Sequence, residues 1–256
     1  MAKNRQIFNK NSKKILIYGQ HSVFAALINP MRKVKKAFFR ENSEHLIPKE
    51  LLKKVEKIEI FTKNKWKKEF SQYENNQGLI LEAYNLIQPS IEKIFIDLKI
   101  KNSSIVLMLD QVKDPQNIGS IMRSAALFNC ENIVTSKDNA PDLNSSIIKS
   151  SSGAAEKVNY IKVTNLVRCI NEFKKNGFWV VGLDINAQEK IDKFKIPKKC
   201  LFVIGSENQG LRNLIKTNCD YLVSIEIKGV NNLGIDSLNV SNASTIALYE
   251  HFKNNK

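Results

Sequence analysis

The chain has 256 residues, of which 43 % are hydrophobic, enough to bury a core in one large domain or two modest ones. Its 40 Lys and Arg outnumber 25 Asp and Glu and leave a net charge of +15. That balance favours a polyanionic partner, nucleic acid being the commonest; a lysine-rich surface that serves only solubility, or an AT-rich genome inflating Lys, is the alternative.

Residues 1–13 are polar and basic, and a flexible tail is expected there. Ile15–Tyr18 reads as a strand, Gly19 as its break, and His21–Leu27 as a helix. Lys33–Arg40 reads as a strand, Ile47–Lys57 as an amphipathic helix, Ile58–Phe61 as a strand, Lys63–Phe70 as a helix and Leu79–Tyr84 as a strand. This alternation predicts a small α/β domain over 14–88. Residues 1–88 hold 18 Lys and Arg against 8 Asp and Glu, so two thirds of the excess charge lies in the first third of the chain. A dedicated binding module at the N-terminus fits that asymmetry.

Pro89 marks a boundary, and 89–104 reads as a linker with a helical turn or two. Ile105–Asp110 is a continuous apolar run, as in a strand buried on both faces of a parallel sheet. Helices near 118–129, 144–152, 165–176, 209–217 and 240–252 alternate with strands at 132–135, 158–163, 178–183, 201–205 and 221–227. A second, parallel-sheet α/β domain over 105–256 is expected. Cys130, Cys169, Cys200 and Cys219 are scattered and form no C-x-x-C pair, so they read as reduced core thiols. His21, His45 and His251 lie far apart and suggest no metal site. There is no phosphate-loop motif, no signal-peptide pattern and no run of about 18 apolar residues, so a cytoplasmic protein without a membrane span is expected.

Three segments follow predicted strands, where open α/β sheets place their ligand crevices. The first carries Asn117, Gly119 and Arg123, with Asn117 available to cap a helix. The second runs from Phe202 through Gly205 and Glu207 to Gly210. The third is Ser237-Leu238-Asn239-Val240-Ser241, where Ser237, Asn239 or Ser241 can cap the last helix. Each alone reads equally well as an ordinary capped turn. In this order and spacing, N-x-G-x-x-x-R, F-x-x-G-x-E-x-x-G and S-L-N-V-S-x-A resemble the SpoU/TrmH family. The opening YGQHSVFAAL, Tyr18–Leu27, is similar to the start of the small substrate-binding domain found in the family's rRNA-modifying branch.

The resemblance implies transfer of a methyl group from S-adenosyl-L-methionine to a ribose 2′-hydroxyl of structured RNA. A guanosine of large-subunit rRNA is the expected target, with tRNA and a non-catalytic ribosome-assembly role as alternatives. It implies a trefoil knot in the C-terminal domain and a homodimer. Carried over by motif, Arg123 is the catalytic arginine, with a role in deprotonation or positioning. Asn117, Glu207, Ser237 and Asn239 shape the site, and Gly205, Ile225 and Leu238 contact the cofactor. Two departures stand beside these matches: Ile225-Glu226-Ile227 replaces the family's usual I-P-M, and the loop 229–236 is longer.

Overall fold

The computed structural model describes residues 13–207, 209–228 and 237–255. The expected tail over 1–13 falls almost wholly outside them, as does the loop 229–236. The implied knot depends on the path of that loop, and so lies outside the described residues too. The chain divides into two compact units, residues 1–87 and 88–256.

In the first unit, β1 (Lys14–Tyr18), β2 (Val34–Arg40), β3 (Lys57–Phe61) and β4 (Leu79–Tyr84) form one sheet in the order β1-β4-β2-β3. Between them lie α1 (Gln20–Ile28), α2 (Lys49–Leu52) and α3 (Lys63–Phe70). Side chains alternate across the sheet. Ile17, Phe39, Leu81 and Ala83 are fully buried, while Phe38 and Ile80 pack with Phe61, Trp66 and Phe70 of the α3 side. The helix expected over 47–57 shrinks to the single turn of α2 and a preceding 3₁₀ turn. Pro48 sits at its N-cap, only Ile47 of the stretch is buried, and from Lys57 the chain is drawn into parallel pairing with β2. Strand pairing wins because no continuous apolar stripe rewards a longer helix.

The second unit begins with α4 (Ile91–Lys99), where a linker reading foresaw only a turn or two. Ser90 caps it, its side chain accepting from the Lys93 N–H, and Ile94 and Leu98 are buried in the domain core. A six-stranded parallel sheet follows: β5 (Ser104–Asp110), β6 (Asn132–Ser136), β7 (Asn159–Val163), β8 (Trp179–Leu183), β9 (Lys199–Gly205) and β10 (Tyr221–Val223), in the order β10-β8-β9-β5-β6-β7. Helices α5 (Pro115–Leu127), α6 (Ser145–Ser150), α7 (Leu166–Lys175), α8 (Asn213–Lys216) and α9 (Val240–Asn254) complete it. Every residue of β5 is buried, as its unbroken apolar run predicts. One face packs α4 and α7 through Ile94, Ile170 and Phe173. The other carries α5 and α9, joined by a 2.7 Å hydrogen bond between the Ser124 and Thr245 hydroxyls. All four cysteines are free thiols, and burial pushes those of Cys130, Cys169 and Cys219 up to about 12. No helix among the described residues is long and apolar enough to cross a membrane.

Candidate active site

The C-terminal ends of β8, β9 and β10 open onto a cavity of about 290 Å³. Leu183, Ile204, Leu211, Val223 and Val240 give it apolar walls, and Gly205, Ser206 and Glu207 continue β9 along its side. Ile225, Ser237 and Leu238 also line it.

The backbone at Gly205 is packed so closely that a Cβ there would lie 2.0 Å from the Gly210 carbonyl carbon and 2.3 Å from the Leu211 nitrogen. Only glycine fits, and the strand therefore presents bare peptide to the cavity. Gly210 closes the turn at φ +63, its N–H donating to the Ser206 carbonyl at 2.9 Å. This left-handed residue is why the helix expected over 209–217 is confined to α8. Next to it, Arg212 reaches back to Asp110 at the end of β5, a carboxylate with no exposed surface. The Arg212 Nε donates to it at 2.8 Å, its backbone N–H at 3.1 Å, and Nη2 stands 2.7 Å away. Sequence reading missed this clamp, since 102 residues separate its halves.

A polar cluster binds the three motif segments together at Glu207. Its Oε1 accepts from Asn117 Nδ2 at 2.5 Å and from Asn239 Nδ2 at 2.9 Å, and Asn239 Nδ2 lies 3.0 Å from Asn117 Oδ1. Asn117 is not the helix cap expected of it. Asp114 caps α5, accepting from the Gln116 N–H, which puts Asn117 in the first turn with its amide turned to Glu207. Asn239 is the cap of α9, accepting from the Ser241 N–H at 2.9 Å and the Ser241 hydroxyl at 2.6 Å. A single amide thus starts the last helix with its oxygen and ties it to the other two segments with its nitrogen.

Arg123 stands apart. It is exposed on α5, does not line the cavity, and makes no ion pair among the described residues. Asn117 and Asn239 are likewise outside the lining, but both bond to Glu207, which is in it, and Asn239 stands between the lining residues Leu238 and Val240. The structure thus joins Asn117, Glu207 and Asn239, sets Gly205, Ile225, Ser237 and Leu238 around one cavity, and leaves Arg123 outside both.

The opposite wall had no expectation attached to it. Asp184, Ile185 and Asn186 follow β8 into the lining. The Asp184 side chain is only 7 % exposed and pairs with Lys216 of α8. Burial works against its charge, but the Lys216 ammonium and the Asn186 N–H outweigh that and hold its carboxyl below the usual range. Ser224, 2 % exposed, donates its hydroxyl to the Ala187 carbonyl at 2.8 Å and accepts from Lys190 Nζ at 2.9 Å, fixing the wall to β10. Among the described residues no group of three or more His, Cys, Asp or Glu is placed to hold a metal ion.

Apolar side chains, the Gly205 backbone and fixed polar groups in one lining suit a small ligand with both apolar and polar parts. Comparison with known proteins gives the same direction. Residues 104–249 match the SpoU rRNA Methylase family, and residues 16–89 match the RNA 2′-O ribose methyltransferase substrate binding family. The 23S rRNA (guanosine-2′-O-)-methyltransferase RlmB of Coxiella burnetii is 32 % identical over 91 % of this chain and 93 % of its own length. That of Ralstonia nicotianae is 31 % identical over 93 % and 95 %. The crystal structure of the SpoU methyltransferase AviRb from Streptomyces viridochromogenes in complex with AdoMet superposes with a TM-score of 0.76 at 22 % identity, covering 94 % of this chain and 89 % of that one.

Proposed function

Because this chain belongs to the SpoU rRNA methylase family, we propose that the cavity at β8, β9 and β10 holds S-adenosyl-L-methionine and that the Asn117–Glu207–Asn239 cluster shapes the rim where RNA reacts. The protein is an S-adenosylmethionine-dependent RNA 2′-O-ribose methyltransferase of the RlmB type, acting on a guanosine of large-subunit rRNA. The observation that carries the site assignment is the convergence of three segments, up to 122 residues apart, on one carboxylate beside one cavity.

The cofactor supplies a methyl group already activated on a sulfonium, so the protein's task is to hold and orient. Gly205 lets the cavity side of β9 approach the ligand as bare backbone, and Ile225 and Leu238 cover its apolar part. Glu207, fixed by two amides, leaves its second oxygen to orient a donor of the RNA at the rim. Ser237 lies on the same lining. The planar fork of donors on Arg123 suits positioning of the ribose hydroxyl and a neighbouring phosphate.

A homodimer belongs to this reading. Leu127, Tyr249 and Phe252 are 77 %, 49 % and 44 % exposed, and Phe128 stacks within 6.1 Å of Tyr249 and 6.0 Å of Phe252. Together they form an apolar face across α5 and α9, which a second copy would cover. Arg123 lies one helical turn before Leu127 and shares its side of α5. A cytoplasmic site of action fits an rRNA substrate. The test is transfer of labelled methyl from S-adenosylmethionine to unmodified large-subunit rRNA and to tRNA, with Glu207→Ala alongside. Incorporation into rRNA at one site resistant to alkaline cleavage, lost in the variant, is expected. Incorporation into tRNA alone would refute the substrate, and full activity of the variant would refute the site.

A further inference from the structure

The N-terminal unit holds a second cavity, of about 340 Å³, between α3 and the segment 71–78 that leads into β4. That volume lies at the low end of the ~300–1,000 Å³ typical of small-ligand pockets. Arg40, Lys63 and Lys67 line it, all exposed and none in an ion pair among the described residues. Three cations against one carboxylate leave the lining with a net positive charge, which a bound anion would offset. Glu74 is the only acidic residue of the lining.

The inner wall is aromatic and fixed. Trp66 and Phe70 are buried with ring centroids 4.6 Å apart, Phe70 and Tyr73 are 6.5 Å apart, and half-buried Tyr73 packs on Tyr18 at 5.3 Å. The rim is strained: Asn75 and Gln77 both sit at φ +57. This conformation costs Gln77 roughly 1–2 kcal/mol and Asn75 less, since Asn tolerates it. It is held by Asn76, whose Oδ1 accepts from the Gly78 N–H at 2.9 Å and whose Nδ2 donates to the Tyr73 carbonyl at 2.7 Å. Gln77 Oε1 accepts from the Gln20 N–H at 2.9 Å, pinning the rim to the start of α1. A strained rim so firmly tied down marks a surface that positions something.

Cation, ring and amide together match the parts of one nucleotide. In an A-form duplex the bases are stacked and paired, whereas an unpaired nucleotide offers its ring face and its Watson–Crick edge. We propose that this pocket takes one unpaired nucleotide of the substrate RNA. Its flanking phosphates lie on Arg40, Lys63 and Lys67, its ring lies against Tyr73, and Glu74 accepts from a base amino or imino N–H. The pocket shares no lining residue with the proposed methyl-transfer cavity, and the proposal rests on the reading of the protein as an RNA methyltransferase.

The full-length protein should be titrated with unmodified large-subunit rRNA transcribed in vitro, over a range of KCl concentrations. The Arg40→Gln/Lys67→Gln double variant should bind about tenfold more weakly, with a salt slope lower by about 1–2. It should raise KM for RNA and leave kcat at saturating RNA, and the affinity for S-adenosylmethionine, unchanged. Lys49→Gln/Lys53→Gln, an equal charge loss outside the pocket, should change binding less than twofold. Equal losses in both doubles would mean diffuse attraction and overturn the proposal, as would no loss in either. RNA carrying 4-thiouridine should crosslink to the peptide holding Tyr73, and crosslinks confined to other peptides would also overturn it. Guanosine monophosphate at millimolar concentration should not displace the RNA, and displacement would reassign the pocket to a free nucleotide. If the pocket governs RNA binding while the wild type transfers no methyl group, the enzymatic reading fails and the pocket stands.

Discussion

Replacing Arg212 by Ala tests whether the clamp on Asp110 holds the Gly210 turn beside the proposed cofactor cavity. Asp110 is fully buried and accepts hydrogen bonds from the Arg212 Nε and backbone N–H, with Nη2 2.7 Å away in the same ion pair. Removing one partner of a buried pair costs about 3–5 kcal/mol when the remaining charge is stranded. Here one backbone donor stays, and the Arg212 side chain is 41 % exposed, so water enters where it stood. Screening reduces the expectation to about 2 kcal/mol. For a unit of this size that lowers Tm by about 4–8 °C, read by calorimetry. The loop from Gly205 to Leu211 loses its anchor, so affinity for S-adenosylmethionine should fall as well. The reasoning requires a stranded charge, so adding Asp110→Asn to the Arg212→Ala variant should recover part of the loss. If the double variant is less stable than Arg212→Ala alone, the stranded charge is not the cause and the argument is refuted.

Gly205→Ala drives a methyl into the Gly210 backbone, which no rotamer can relieve, so the turn must shift. Titration calorimetry should find cofactor binding weakened at least tenfold in a still-folded protein, and unchanged affinity would remove Gly205 from the site. His251 of α9 is 6 % exposed, and burial lowers its pKa below the ordinary 6.5, with the Lys198 carbonyl 3.3 Å away pulling the other way. The unfolded chain then takes up a proton that the folded one resists, so stability is full above about pH 6.5 and falls as pH drops below it, by at most about 1.4 kcal/mol per pH unit. His251→Gln should flatten Tm between pH 7.5 and 5, and identical slopes in the two proteins would show that His251 does not set that limb.

The parts of the fold that could be read from sequence are those decided by local pattern. The unbroken apolar run of β5 reads as a strand buried on both faces, and every residue of it is buried. The wrong lengths of α2 and α8 share a cause: each stretch has acceptable helix residues, but tertiary pairing, β3 with β2 in one case and the Gly210 turn in the other, takes those residues away. Motif order brought out Asn117, Glu207 and Asn239, yet not their contact, because hydrogen bonds over 32 to 122 residues leave no periodic trace. The Asp184–Lys216 wall and the Asp110–Arg212 clamp were invisible for that reason, being charges whose partners only the folded sheet supplies.

Arg123 is where motif and geometry part, and that separation has a testable consequence. Its side chain is exposed on α5, away from the cavity of its own chain, beside the apolar face of Leu127, Tyr249 and Phe252. If a second copy covers that face, Arg123 serves the cavity of the partner, and each site is built from two chains. An Arg123→Ala chain then keeps a good cavity and lacks only a donated guanidinium, while a Gly205→Ala chain has a spoiled cavity and a good arginine to give. Neither should methylate RNA alone. Mixed in equal amounts and allowed to exchange subunits, half the dimers pair one of each, and each such dimer has one complete site of two, so about a quarter of the wild-type rate should return. Were Arg123 to act on its own cavity, no dimer in the mixture would contain a complete site. A mixture as inactive as its components, with exchange verified by a tag, would therefore place Arg123 in its own chain's reaction and leave the apolar face to account for assembly alone.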